Sequence, residues 1–324
     1  MKLAGLDIGG TKCAVTLGEL TADNGIRITG KRRLSTADCA SPQACLKAMC
    51  DHLEELFQAD GTGKNEVCGI GISCGGPLDS ATGIIHSPPN LPGWDDIPAA
   101  ALVEAHTGLP ARLENDANAG ALAEWKFGAG RGASDMIFLT FGTGLGAGII
   151  ANGKLIGGRS GMAGECGHIR LAPSGPAGYG KRGSFEGFCS GGGIAQLGRN
   201  HAAAAFRNGR ALSWCPTPLE LPNLTAKIIG DAAAHGDTDA LAVYAESGRR
   251  LGEGLAVLID LLNPECIVIG SIFSRSENLL RPAMEEVLSR EALPQSRRAC
   301  RIVPAQLGEA LGDIASLAVA AEFH

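Results

Sequence analysis

The sequence predicts an α/β protein built from two similar domains that face each other across a deep active-site cleft. Short apolar strands such as 266–269 alternate with helical segments through the second half, an order typical of α/β folds. An apolar strand, a glycine–threonine turn and a second strand occur at 3–17 and again at 135–151, which indicates a duplicated architecture. The length of 324 residues is enough for about two domains.

Composition excludes several classes of protein. Hydrophobic residues make up 45% of the chain and charged residues 19%, so we expect large cores and no extensive disorder. The net charge of −6 argues against a nucleic-acid-binding surface. The eleven cysteines form no Cys-x-x-Cys pair and are predicted to be reduced thiols. No signal peptide stands at MKLAGLDIGG and no apolar run reaches the ~18 residues of a membrane span, so we expect a cytoplasmic protein.

The first hairpin is a candidate phosphate-binding loop. Residues 3–8 form a strand, 9–12 a tight turn and 13–17 a second strand. A dinucleotide fingerprint or a Walker loop requires a helix after its glycines, so neither motif fits. A hairpin with Asp7 at its start and a Gly-Gly-Thr tip offers backbone N–H groups and a hydroxyl to phosphate oxygens. Ordinary hairpin turns also use Gly and Thr. Taken by itself, this turn is therefore either a phosphate-binding loop or a purely structural turn.

Two loops follow the next elements, a predicted helix at 42–58 and a buried strand at 67–73. The loop Cys74–Pro77 carries two glycines that let the backbone approach a ligand closely. The loop 86–98 contains four prolines and is irregular. It is either a rigid loop around a packed Trp94 or a ligand-facing loop with Asn90 as a polar contact.

The segment 111–127 changes from strand to helix at Asp116. A carboxylate at such a junction has two readings: it caps the helix, or it takes a proton from a substrate hydroxyl. The second hairpin, with Gly142, Thr143 and Gly144 at its tip, repeats the first one about 135 residues later. The alternative is a chance duplication of a turn, but the pair is more specific than either half and predicts two loops that grip a nucleoside triphosphate.

Further polar residues lie in glycine-rich segments of the second half. Glu165 and His168 are three residues apart at 157–171, and Glu186 precedes a predicted helix at 187–207. They are either solvated and packing side chains or a cluster that binds sugar hydroxyls.

The region 225–262 is predicted to be helical with one break near 235–237, and Asn263-Pro264 ends it. After the strand 266–269, Gly270-Ser271 opens a turn suited to adenine or ribose; helices at 276–291 and 310–322 flank a strand at 300–303.

With these pieces assembled, the chain resembles the ROK family (repressors, open reading frames and sugar kinases) of the hexokinase/actin-like superfamily. The resemblance runs from Leu3 to about Phe323. The motifs that carry it are DIGGTK (7–12), GGP (75–77), PNLPGW (89–94), ENDAN (114–118), GTGLG (142–146), GECGH (164–168) and GEALG (308–312).

The resemblance implies a sugar kinase that depends on ATP and Mg²⁺. Asp116 is then the general base that removes the proton from the sugar's 6-hydroxyl, and Mg²⁺ is bound through the ATP phosphates near Asp7. It implies the domains 1–117 plus 309–324 and 118–308, and a homodimer formed by the larger one. The sugar-binding residues implied are Gly76, Asn90, Asn115, Asp116, Glu165, His168 and Glu186. The nucleotide-binding residues implied are Asp7, Gly9, Gly10, Thr11, Lys12, Gly142, Thr143, Gly144 and Gly270.

The segment after His168 departs from the family pattern. Relatives usually carry a CxCGxxGCxE zinc segment there, whereas this chain has Ala177, Tyr179 and Ser184 at the three cysteine positions. None of these side chains replaces a thiolate ligand, so we predict no structural zinc. We expect packing of Tyr179 and Phe185 to hold the loop instead. Ser271 is a smaller departure, since many relatives carry two glycines at 270–271.

Three functions remain open at this point. The first is a kinase for a hexose or an N-acetylhexosamine, with glucose, N-acetylglucosamine, N-acetylmannosamine, mannose and allose as suitable substrates. The second is a sugar-responsive transcriptional regulator, but the sequence starts six residues before Asp7 and is acidic, so we expect no DNA-binding domain. The third is a sugar-binding pseudokinase, against which the intact Asp116, Asp7 and both phosphate loops argue.

Overall fold

A computed structural model describes residues 1–323, and its contacts divide the chain into two compact units. The first unit comprises 1–134, 148–163 and the segment from 306 onward; the second comprises 135–147 and 164–305. Residues 118–134, 148–163 and 306–308 therefore lie in the first unit, whereas the sequence analysis assigned them to the larger domain. The functional division at 117/118 stays a prediction.

The first unit is organised around a mixed five-stranded sheet. Its strand order is β3-β2-β1-β4-β7, in which β1, β4 and β7 are parallel and β1, β2 and β3 antiparallel. The strands of this stretch are β1 Lys2–Ile8, β2 Lys12–Leu20, β3 Ile26–Ser35, β4 Val67–Cys74, β5 Leu78–Asp79, β6 Ile84–Ile85 and β7 Ala111–Asn115. The helices are α1 Pro42–Asp60, α2 Ala99–Thr107 and α3 Asp116–Phe127.

Helix α1 shows why this region of sequence folds as it does. Ser41 caps its start by accepting a hydrogen bond from Ala44 N (3.1 Å), and Pro42 occupies the first turn, where no N–H is needed. Leu46, Met49 and Leu53 recur at helical spacing and are fully buried in the core of the first unit. The helix Leu311–Ala320 also packs on this sheet, against β1 and β4.

The second stretch contains another five-stranded sheet, with the order β10-β9-β8-β13-β14 and the strands β8, β13 and β14 parallel. The strands of this sheet are β8 Met136–Phe141, β9 Leu145–Ala151, β10 Lys154–Leu155, β13 Cys266–Ile269 and β14 Arg301–Pro304, and β11 Ala177–Gly178 and β12 Lys181–Arg182 form a separate two-stranded sheet. The helices are α4 Phe185–Phe188, α5 Gly191–Arg207, α6 Ala226–Ala234, α7 Thr238–Leu262, α8 Ile272–Glu291 and α9 Pro294–Ala299, and the chain continues to α10 Leu311–Ala320, which belongs to the first unit.

The predicted α/β class is confirmed by the two sheets and their helices. The helical break near 235–237 is also confirmed, since it separates α6 from α7. The predicted start of the helix at 276 was wrong, because α8 begins at Ile272 and instead has a non-helical residue at Ser276. No helix among residues 1–323 combines the length and the apolar character that a membrane crossing requires.

Candidate active site

Three parallel strands of the first unit end side by side at the predicted site. The register pairs Ile8 with Cys74 and Cys74 with Asn115, so β1, β4 and β7 stop at the same level. The residues that directly follow are Gly9, Gly75 and Asp116. Ligands of open α/β sheets bind outside the carboxyl ends of the strands. The topology therefore brings three separate motifs of the sequence to one edge.

The first phosphate hairpin is held from outside by Thr36. Within the turn, Gly9 N donates to Lys12 O at 3.2 Å. The Thr36 hydroxyl donates to Gly9 O at 2.6 Å, and Thr36 N donates to Thr11 O at 3.1 Å. Gly10, Thr11 and Lys12 remain exposed, so their N–H groups and side chains are accessible to an anion.

Asn90 lies where two of the glycine motifs meet. A Cβ on Gly10 would collide with the carbonyl oxygen of Asn90, so only glycine permits this close approach. A Cβ on Gly75 would lie 3.6 Å from both amide atoms of the Asn90 side chain. Asn90 itself is exposed. Gly76 continues the same loop, and the nearest atom to a Cβ there would be Leu78 N at 3.8 Å.

The junction before α3 separates the two possible roles of Asp116. Asn115 is the helix cap, because its side-chain oxygen accepts from Asn118 N at 2.7 Å. Asp116 is the first residue of the helix and its side chain is exposed to solvent. Desolvation by the surrounding protein disfavours the charged carboxylate and raises its pKa above the ordinary value, although the N–H groups of Ala117 and of Asp116 itself oppose the rise. An accessible carboxylate with a raised pKa is suited to accept a proton.

Asp7 is half-buried and lies among other acidic groups. Burial raises its pKa to about 7, with further contributions from the charges of Asp313, Cys13 and Asp116, while a hydrogen bond with Ser73 acts in the opposite direction. Asp313 forms an ion pair with Lys31. A Cβ on Gly312 would lie 3.3 Å from Asp7 Oδ2, so the backbone of α10 comes close to this carboxyl group.

The second phosphate turn joins β8 to β9. Gly142 N donates to Gly144 O at 3.1 Å, and Gly146 N donates to the Thr140 hydroxyl at 2.9 Å. Helix α5 starts beside this turn, since Gly191 N donates to Gly142 O at 2.8 Å. The partial positive charge of a helix N-terminus favours anions close to it.

The predicted sugar-binding residues of the second unit lie around the same turn. Glu186 Oε2 accepts from Leu145 N at 3.0 Å and would lie 2.8 Å from a Cβ on Gly144. Glu165 and His168 are exposed, and His168 N donates to Glu165 O at 3.1 Å. Lys181 Nζ donates to the backbone oxygen of His168 at 2.6 Å. The structure thus places Glu186 at the phosphate turn and links His168 to the segment 177–186.

A small hairpin occupies the position of the family's zinc segment. Strands β11 and β12 pair antiparallel, with Ala177 opposite Arg182. Tyr179 and Gly180 form the turn between them with φ values of 43° and 75°, as a type I′ turn requires. The prediction for Phe185 is confirmed, since it is fully buried, but the prediction for Tyr179 was wrong: 75% of it is exposed because the turn points it away from the core. Among residues 1–323 no group of three or more His, Cys, Asp or Glu side chains is arranged to hold a metal ion.

Gly270 and Ser271 lie beside the second phosphate turn. Gly270 N donates to Leu139 O at 2.9 Å, and Ser271 Oγ would be 3.7 Å from a Cβ on Gly142. Ser271 has a φ of 53°, in the region that favours glycine. The positive φ gives a backbone reason for the two glycines that resembling sequences carry here.

Sequence reasoning did not identify several residues around the two phosphate turns. Strand pairing and helix packing bring four residues from distant parts of the sequence to the phosphate hairpin and Asp7, and no local sequence pattern marks them. They are Thr36, Ser73, Asp313 and Lys31. The start of α5 did carry a signal, because Ser190 precedes three consecutive glycines and caps the helix by accepting from Gly193 N at 3.0 Å.

Comparison with known proteins identifies what the chain resembles. A family-wide sequence model described as the ROK family matches residues 3–322. A glucokinase of Halalkalibacterium halodurans is 34% identical over 312 residues, which are 96% of this chain and 92% of that protein. An N-acetylmannosamine kinase of Salmonella paratyphi A is 30% identical over 86% of each chain. The crystal structure of a ROK family glucokinase from Streptomyces griseus, in complex with glucose and AMPPNP, is 31% identical, covers 99% of this chain and 100% of its own, and has a TM-score of 0.74.

Proposed function

The chain belongs to the ROK family, and from that membership we propose that it is an ATP-dependent kinase that phosphorylates the 6-hydroxyl of a hexose or an N-acetylhexosamine. The glucokinase relative and the glucokinase complex with glucose and AMPPNP support a sugar and ATP as substrates. The N-acetylmannosamine kinase relative supports the wider substrate class. The observation that carries the proposal is that two adjacent residues at the start of α3 have different roles. Asn115 caps the helix, and the Asp116 carboxylate is left exposed.

Asp116 is the general base of the proposed reaction. Its carboxylate accepts the proton of the sugar hydroxyl as that oxygen attacks the γ-phosphorus, and the bond to the β,γ-bridging oxygen breaks to release ADP. Such a base contributes about 10²–10⁴-fold to the rate. Its raised pKa strengthens the carboxylate as a base, while solvent exposure keeps it accessible to a hydroxyl group.

The glycine turns provide the proposed phosphate contacts. Gly9, Gly10, Thr11 and Lys12 offer N–H groups, a hydroxyl and an ammonium group, and Gly142–Gly144 offer backbone N–H groups near the start of α5. Phosphoryl transfer depends mainly on such positioning and on charge neutralisation. Gly270 is the proposed contact to the nucleoside.

Mg²⁺ fits the surroundings of Asp7. Oxygen donors are the ligands that Mg²⁺ prefers, and the negative charges of Asp313 and Asp116 disfavour ionisation of Asp7 without a cation. When bound with ATP, the ion neutralises phosphate charge. Asp7 is the residue proposed to hold it, directly or through water.

The proposed sugar contacts are the polar residues that the family resemblance implies. Asn90, Glu165 and His168 are exposed. Glu186 and Asn115 each use one oxygen for a backbone N–H, so their remaining polar atoms would contact the sugar, and the backbone of Gly76 completes the group. A homodimer and a cytoplasmic location remain predictions.

ADP release with Mg-ATP across a panel of hexoses and N-acetylhexosamines tests the proposal. We expect a sugar-dependent signal for wild type that disappears in Asp116→Asn. The matched control is Asp51→Asn, which changes an exposed aspartate on α1 whose side chain is 61% exposed. Sugar binding in a thermal-shift assay without ADP release from any sugar would instead support a pseudokinase and overturn the proposal.

A further inference from the structure

Three cysteines gather next to the first phosphate hairpin. Cys13 directly follows Lys12 at the start of β2, and Cys45 lies on α1. Their sulfur atoms are 3.8 Å apart, and each residue is only 1% exposed. Cys39 is half-buried in the segment that leads to α1, and its thiol adds to the influence of Cys13 in raising the pKa of Cys45. The proposed kinase mechanism uses none of these three thiols.

The thiol of Cys13 is connected to the phosphate turn through one residue. Cys13 Sγ lies 3.3 Å from Thr36 Oγ1. The same hydroxyl group donates to Gly9 O at 2.6 Å, and Thr36 N donates to Thr11 O at 3.1 Å. A displacement of Cys13 therefore disturbs the side chain that holds the turn.

The geometry of the pair suits a covalent bond. A disulfide has sulfur atoms about 2.05 Å apart, so the two sulfurs, in contact at 3.8 Å, approach by about 1.8 Å when the bond forms. Hydrogen bonding from the Cys45 thiol lowers the pKa of Cys13 below its ordinary value, and the thiolate is the form that attacks sulfur.

We propose that Cys13 and Cys45 are a redox-active pair that a peroxide-class oxidant converts into a disulfide, and that this bond disables the adjoining phosphate hairpin. The oxidant reacts first with the half-buried Cys39, because the sulfurs of Cys13 and Cys45 are shielded from solvent. The pair is a modification site in addition to the proposed kinase activity.

The chemistry balances in three steps. The Cys39 thiol loses its proton and attacks a peroxide oxygen as the thiolate; the O–O bond breaks, sulfenic acid forms, and the released hydroxide takes up that proton as one water. Cys45 attacks the Cys39 sulfur while its proton passes to the departing oxygen, so that the S–O bond breaks and a second water leaves. The Cys13 thiolate then attacks the Cys45 sulfur and expels Cys39 as a thiolate, which takes up the proton that Cys13 lost. In total two thiols are oxidised and one hydrogen peroxide is reduced to two waters.

Peptide mapping detects the bond without any activity measurement. Trypsin releases Cys13 in the peptide 13–27, and Cys39 and Cys45 together in the peptide 34–47. After hydrogen peroxide and thiol blocking, we expect the two peptides linked, with fragmentation placing the link on Cys45. Cys45→Ser abolishes the link, with Cys45→Ala as a second variant if the first is unstable. The matched control, Cys68→Ser, changes another half-buried cysteine and leaves the link intact.

The functional consequence is measured separately and rests on the proposed kinase activity. We expect peroxide to lower the kcat/KM for ATP at least about tenfold in wild type, since a ~1 Å misplacement costs up to 10²-fold. Dithiothreitol restores activity, and Cys45→Ser keeps it throughout. Unlinked peptides after oxidation would overturn the proposal that Cys13 and Cys45 form a disulfide. Linked peptides with unchanged turnover would overturn the proposal that this bond disables the hairpin. An untreated protein without turnover contradicts the kinase proposal, whereas the peptide map still decides on the pair.

Discussion

The side-chain amide of Gln196 forms two hydrogen bonds with the backbone of Ala177. Its Nε2 donates to Ala177 O at 2.9 Å, and its Oε1 accepts from Ala177 N at 3.0 Å. Ala177 stands at the first position where resembling sequences carry a zinc-binding cysteine. Through Lys181, the same hairpin reaches the backbone oxygen of His168. Hydrogen bonds from α5 and within the hairpin thus order this segment in the described chain.

Replacing Gln196 should loosen the hairpin and weaken sugar binding. Gln196→Ala leaves a partly buried N–H and C=O of Ala177 without their partner, at a cost of about 1–3 kcal/mol in stability. Because His168 is linked to the hairpin, we expect a KM for the sugar raised several-fold, by about 1 kcal/mol of binding, with kcat little changed. Steady-state kinetics of Gln196→Ala, Gln196→Glu and the exposed Gln58→Ala as control measure this.

Gln196→Glu is the informative intermediate in that series. A carboxylate still accepts from Ala177 N but has no N–H to donate to Ala177 O, so its KM should lie between those of wild type and Gln196→Ala. Equal KM values for all four proteins would show that the hairpin does not position His168.

Purified protein should contain no stoichiometric zinc. Ala177, Tyr179 and Ser184 supply no thiolate, and the hairpin is closed by β11–β12 pairing and Gln196. We expect less than about one zinc per ten chains by elemental analysis of protein purified without chelator. Full occupancy would mean that other ligands have replaced the cysteines, and the interpretation of the hairpin would then be wrong.

The folds of the motifs were readable from sequence, but several of their contacts were not. Glycine–threonine turns and apolar strands announced both hairpins, since turn chemistry is local. The packing predicted for Tyr179 was wrong because this residue occupies a two-residue turn, which directs its side chain into solvent. The contact between Gln196 and Ala177 joins residues 19 positions apart and depends on how α5 packs, which no local pattern encodes.

Asp7 should make stability fall as the pH rises. In the folded protein burial raises its pKa to about 7, against an ordinary value of 3.8, so the folded state holds the proton more tightly than the unfolded chain. This contribution is fully present below pH ~4 and is lost between about pH 4 and 7. In ligand-free protein, the Tm of Asp7→Asn relative to wild type should therefore increase from pH 5 to pH 8.

Thermal melts at several pH values test this. Each kcal/mol corresponds to about 2–4 °C for a domain of this size class, and a half-buried carboxyl group contributes less than its full pKa shift. Asp51→Asn, on an exposed helix surface, is the control for the loss of an exposed carboxyl group. A difference in Tm between Asp7→Asn and wild type that stays constant from pH 5 to pH 8 would show that the Asp7 carboxyl group ionises normally despite Asp313 and Asp116.

Asp116→Asn should separate catalysis from binding. Asparagine has the shape of aspartate, and the helix cap belongs to Asn115, so α3 should keep its start and the protein its Tm. The variant should still bind the sugar but lose about 10²–10⁴-fold in kcat, because the amide cannot accept the hydroxyl proton. Wild-type kcat/KM for the sugar should fall as the pH drops through the raised pKa of Asp116, and the variant should lack this dependence. Near-normal turnover in Asp116→Asn, with Asp51→Asn as control, would falsify the role of Asp116 as the base.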